Sequence, residues 1–184
     1  MQREESGSTN GVSPRIGNRL VGQVLLQGMD GSASPALTSL TPASRWLGYA
    51  GLSPQIICLA LALSGSEYEF VAIAAGFAYA AAIFSFLGGV WWGQAIVAGK
   101  GGAAVYLIAV MPSLLAVALF LPWTFGWDWP GPALMYLGAL IMASPAIDRA
   151  LGYAKRDFLL LRVQLSAGLG LLTIALGFVA DAAV

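Results

Sequence analysis

The sequence predicts an all-α integral membrane protein: a bundle of five transmembrane helices, N-terminus inside and C-terminus outside. Three observations predict it. Hydrophobic residues make up 58% of the 184 residues and charged residues only 10%, where a soluble domain carries about 25% charged residues. The mean hydropathy is +0.77. The apolar residues gather in blocks near the ~20 residues a helix needs to cross ~30 Å of hydrocarbon. Finally, all nine Lys and Arg fall on one side of the division that those blocks define.

Residues 1–44 stand apart as a cytoplasmic tail, disordered or partly interfacial. Its first stretch is polar and rich in Ser, Gly and charge, which fits disorder. Glu4 and Glu5 with no adequate apolar core behind them argue against a secretory signal. Ile16, Leu20, Val21, Val24, Leu25 and Met29 recur at helical spacing beside Arg15 and Arg19, the pattern of a short helix lying on a membrane surface. Gly17, Gly22 and Gly28 oppose it.

Residues 45–184 form the transmembrane domain. The first block, about 46–63, contains Pro54, which is expected to bend it or define an early half-turn. The second, about 70–97, is uncharged and too long to cross upright, so it must tilt, kink at Gly88-Gly89 or run along the interface. The third, about 103–121, carries a mid-span Pro112. The fourth, about 133–147, is short, and a re-entrant segment is the alternative there. The fifth runs over about 158–180. Backbone polar groups in lipid must be satisfied within the segment, so continuous apolar blocks are helices, and the lack of short alternating segments argues against a barrel.

Five spans put the tail, the 98–102 loop and the 148–157 loop on one side, with Arg3, Arg15, Arg19, Arg45, Lys100, Arg149, Lys155 and Arg156; Arg162 follows just inside the fifth helix. The other side holds Glu67, Glu69, Asp128 and Asp181 and no basic residue. The basic side is therefore cytoplasmic. Trp46, Trp91, Trp92 and Tyr153 fall near the inner boundary and Trp123, Trp127 and Trp129 near the outer one, as interfacial anchors do.

Several kinds of chemistry are excluded. The chain has no histidine and one cysteine, Cys58, so it has no internal disulfide, no imidazole-ligated metal or haem and no Ser-His or Cys-His catalysis. No metal site, cofactor or catalytic residue is predicted. Balanced charge gives no field for nucleic acid. No Asp or Glu is expected inside any block, which disfavours ion coupling through a buried carboxylate. Arg162 is the single charge within a block. It either snorkels to the headgroups or faces inward, where Arg162, Gln164, Gln94, Ser85, Gln55 and Trp92 compose a candidate inner-leaflet polar pocket for a lipid phosphate or a quinone carbonyl. The second block is alanine-rich, which predicts the bundle centre; Gly88, Gly89 and Gly93 are its candidate packing residues, with Gly89 and Gly93 a GxxxG pair.

The stretches Leu47-Gly-Tyr-Ala-Gly-Leu-Ser-Pro54, Tyr79 to Gly93 and Leu161-Arg-Val-Gln-Leu-Ser166 resemble the transmembrane-protein-69-like family of small multispanning bacterial and mitochondrial proteins, a domain of unknown function. The likeness covers about residues 43–180, and Ser85-Phe-Leu-Gly-Gly-Val-Trp-Trp-Gly93 is its most specific part. Where the family pattern often has a histidine before the final Trp-Gly, this chain has Trp91. The resemblance implies a multi-pass protein of a bacterial inner membrane and brings no activity.

The expected function is a non-enzymatic accessory or assembly subunit of a larger membrane complex, in contact with membrane lipids. A small transporter or channel with an inner-leaflet polar site is the alternative, and a lipid- or quinone-binding enzyme the third reading.

Overall fold

A computed structural model describes residues 42–99, 101–127, 130–152 and 156–182. The tail with its surface-helix pattern, Lys100, Asp128, Trp129, Tyr153 and Lys155 lie outside them. Among the described residues there is no strand, and five helical stretches are long and apolar enough to cross a membrane. The helices are α1 (Pro42–Ala50), α2 (Ser53–Leu63), α3 (Glu69–Ala98), α4 (Ala103–Thr124), α5 (Pro130–Leu151) and α6 (Arg156–Ala182). The first stretch, Pro42–Leu63, is α1 and α2 together.

Its break has a local cause. Pro54 has no N–H, so the Ala50 carbonyl loses the donor four residues on. The Ser53 hydroxyl donates to it instead, at 2.7 Å. Gly51 and Leu52 form the turn, and the Tyr79 hydroxyl donates to the Gly51 carbonyl. A broken helix is thereby tied to α3.

Helix α3 runs unbroken through Gly88-Gly89. Its 30 residues span ~45 Å at ~1.5 Å per residue, more than the hydrocarbon thickness. It ends at Gly99, whose φ of +62° is the left-handed stop that glycine accepts. Its buried residues Ala72, Ile73, Gly76, Phe77, Ala80, Phe84, Leu87, Gly88, Trp91 and Ala95 recur every three or four positions, one continuous inward stripe. α3 packs against α2, α4, α5 and α6; α6 packs against α1, α2, α3 and α5, so the two share the bundle centre.

The two adjacent glycines of α3 have opposite surroundings. A methyl group at Gly88 would collide with the Ala109 carbonyl of α4. One at Gly89 or at Gly93 would meet nothing within 4 Å. Gly89→Ala is therefore expected to leave the thermal transition of the detergent-solubilised protein unchanged or slightly raised, because alanine is the better helix former. A lowered transition would mean that another surface packs on Gly89.

Helix α5 corrects the expected short fourth block. It has 22 residues, as many as α4, and continues past Ile147 to Leu151. Asp148 is thus inside a helix rather than in a loop. Against it lies α6, antiparallel and in close contact. A methyl group at Gly138 would lie 2.6 Å from the Gly170 carbonyl oxygen, and one at Gly177 would lie 2.9 Å from that of Gly131. Gly131 and Gly138 are seven residues apart, as are Gly170 and Gly177. Small residues at this spacing let two backbones approach along a seam.

Candidate polar site at the basic end of the bundle

Followed toward the end that carries Arg149 and Arg156, the α5–α6 seam changes from glycine to polar side chains. Ser144 of α5 meets Ser166 of α6 at 3.3 Å, and its hydroxyl lies 2.7 Å from the Ile141 carbonyl. One turn further on, Arg162 Nε donates to Asp148 Oδ2 at 2.8 Å. The Asp148 side chain is fully buried and that of Arg162 is 11% exposed. Trp91 of α3, fully buried, donates from Nε1 to Asp148 Oδ1 at 2.7 Å. Each carboxylate oxygen has its own donor, and three helices meet on one aspartate.

This arrangement overturns two expectations. A carboxylate does lie within a span. Asp148 is carried inside the bundle because Arg162 neutralises it and Trp91 fills its second oxygen, the condition under which a buried charge persists. Trp91 is no interfacial anchor: its indole N–H finds an acceptor inside the bundle, as a buried tryptophan requires. Arg162 faces inward. It stands six residues into α6, ~9 Å from the helix start.

The other candidate residues do not converge on Arg162. Gln164 is exposed and accepts from the Tyr49 hydroxyl at 2.7 Å. Gln94 is half-buried on α3. Ser85 lines a separate groove between α3 and α4, beside Ser113 and Phe77. Trp92 is 42% exposed and packs on the Tyr106 ring at a centroid distance of 4.7 Å. Gln55 is fully buried elsewhere and donates from Nε2 to Thr173 Oγ1 at 3.2 Å. Gly88 packs as described above, while Gly89 and Gly93 face open space. At the opposite end Trp123 packs edge-on against Phe70 at 5.6 Å, and Trp127 is exposed.

Asp148, Trp91, Ser144, Ser166 and Thr173 were absent from the expected pocket. The signal that could have found Asp148, Ser144 and Ser166 is the register of the seam. Pairing Gly138 with Gly170 in antiparallel helices carries Ser144 to Ser166 and Asp148 to Arg162.

A cavity of about 290 Å³ opens beside Arg162, bounded by α1, the Gly51–Leu52 turn, α3, α5 and α6. Leu47, Phe86, Leu165 and Leu169 furnish apolar wall; Arg162, Ser166 and Tyr79 are its polar lining. Among the described residues no group of His, Cys, Asp or Glu is disposed to hold a metal ion.

Residues 40–178 match the family described as protein of unknown function (DUF3429). No curated protein and no solved structure matches the chain.

Proposed function

We propose that this chain, which belongs to the family of proteins of unknown function (DUF3429), is a non-enzymatic accessory or assembly subunit of a larger complex in a bacterial inner membrane. The observation that carries the reading is the mutual commitment of polar groups inside the bundle. Asp148 is held by Arg162 and Trp91, Ser144 by Ser166, and Gln55 by Thr173. Such groups specify how helices pack, and none stands as a nucleophile beside a base. The resemblance of the Ser85 to Gly93 stretch to transmembrane-protein-69-like proteins, read from the sequence alone, supports the same membrane setting. Arg45, Arg149 and Arg156 belong to one end, and Glu67, Glu69 and Asp181 to the other, which supports a cytoplasmic basic end.

Extraction from native membranes in mild detergent tests the reading. The tagged chain is expected to migrate in a larger assembly and to bring down a stoichiometric partner identified by mass spectrometry. A monodisperse chain with no partner would overturn it. A tag on the C-terminus is expected to be cleaved by protease added from the outer side only.

The α1–α2 break beside a cavity favours a second reading, a small transporter, because interrupted helices border many substrate sites. Vesicles reconstituted with the protein that move no ion, lipid or small metabolite would retire it.

A further inference from the structure

The cavity beside Arg162 is built for an occupant in three respects. It opens to the outside of the bundle: Leu47 and Phe86 on its wall are 73% and 65% exposed. Its walls are mostly apolar. Arg162 lines it and carries an unanswered donor: its Nη2 is buried and has no hydrogen-bond partner among the described residues, although Nε of the same guanidinium is bonded to Asp148. A buried donor left unsatisfied is costly and calls for an acceptor.

The charge balance decides what kind of acceptor. Asp148 already neutralises Arg162, at 2.8 Å. An anionic headgroup seated there would bring a second negative charge into the same low-dielectric pocket with no cation to match it. A neutral carbonyl satisfies the free N–H at no such cost. Size narrows the choice further. About 290 Å³ is at the small end of the ~300–1,000 Å³ typical of small-molecule sites, enough for a ring or a stretch of acyl chain rather than a whole lipid.

We propose that this cavity binds the carbonyl-bearing part of a neutral, apolar molecule dissolved in the membrane, with the carbonyl oxygen accepting from Arg162 Nη2. Two sources share that chemistry, the ring of a membrane quinone and the acyl ester of a neutral glycerolipid. The proposal goes beyond the accessory role and does not depend on a partner protein.

The test uses the full chain in phosphatidylcholine nanodiscs with three probes: a decyl-substituted benzoquinone, methyl laurate and dodecyl phosphate. The benzoquinone is followed by its quenching of tryptophan fluorescence and the other two by competition. At least one neutral probe is expected to bind saturably and to outcompete dodecyl phosphate. Arg162→Lys keeps a cation for Asp148 but loses the second guanidinium arm, and is expected to weaken that probe about tenfold, the worth of one hydrogen bond. Leu165→Trp fills the cavity without touching the ion pair and is expected to abolish binding while the thermal transition persists. Binding of the quinone alone, or of the ester alone, upholds the site and identifies the source. The proposal is overturned if neither neutral probe saturates, if dodecyl phosphate binds best, or if Leu165→Trp binds as the native chain does.

Discussion

Arg162→Ala is expected to destabilise the bundle by ~3–5 kcal/mol, the cost of breaking a buried ion pair by deleting one partner. Asp148 would remain at the seam, fully buried, with Trp91 Nε1 as its remaining donor among the described residues. Its side chain is too short to reach the headgroups. Asp148→Ala strands the arginine instead. From ~9 Å inside the span a long side chain can turn along the helix toward the interface and recover part of its hydration, so this change is expected to cost less, although it also orphans the Trp91 N–H. Removing both charges together is expected to cost less than the two single changes combined, because the uncompensated charge disappears with its partner. Trp91→Phe removes one bond to a charged acceptor, and ~1.5–3 kcal/mol is expected. Unfolding of the four variants in mixed micelles, followed by tryptophan fluorescence and, for Trp91→Phe, by far-ultraviolet circular dichroism, measures the set. Strict additivity of the two alanine changes would mean that the pair does not function as a pair.

The contrast between Asp148 and the spans themselves marks what hydropathy can convey. Blocks near the crossing length reveal five spans, and Pro54 reveals the break in the first, because length and a missing N–H are properties of single segments. Which residues face one another is a property of pairs. A charged residue at the end of an apolar block reads as a loop, and only the Arg162 side chain from another helix makes Asp148 tenable within one. Trp91 reads as a member of the interfacial belt for the same reason, since its acceptor lies 57 positions away. In α3 the small residues occupy so many faces that nothing distinguishes Gly88, against α4, from Gly89, facing outward. The polar residues Gln94, Gln164 and Ser85 lie within apolar helices as hydropathy implies, but on three different surfaces. The seven-residue spacing of glycine in both α5 and α6 is a pairwise signal that becomes readable once the two helices are paired, and it agrees with the register that brings the ion pair together.

That register makes Gly138 the most sensitive backbone position on the seam. In Gly138→Ala the new methyl group would lie 2.6 Å from the Gly170 carbonyl oxygen and 2.7 Å from Ile174 Cγ1. The carbonyl belongs to helical backbone and cannot rotate aside, so α5 and α6 must separate. Overpacking of this kind costs ~1–3 kcal/mol for small additions, and Gly138→Leu is expected to exceed that range. Gly170→Ala presses on the same spot from the other side, 2.7 Å from the Gly138 carbonyl. Once one methyl group has forced the helices apart, a second meets more room, so Gly138→Ala and Gly170→Ala together are expected to cost less than the sum of the two. Separation also loosens the pairs further along the seam. A Gly138→Ala chain is therefore expected to lose much of the energetic coupling between Asp148 and Arg162 in a double-mutant cycle, although the substituted position lies ten residues from Asp148, ~15 Å along the helix. If Gly138→Ala leaves that coupling intact and melts with Gly89→Ala, the two helices are not in contact through their glycines, and the ion pair must be held together by α3 alone.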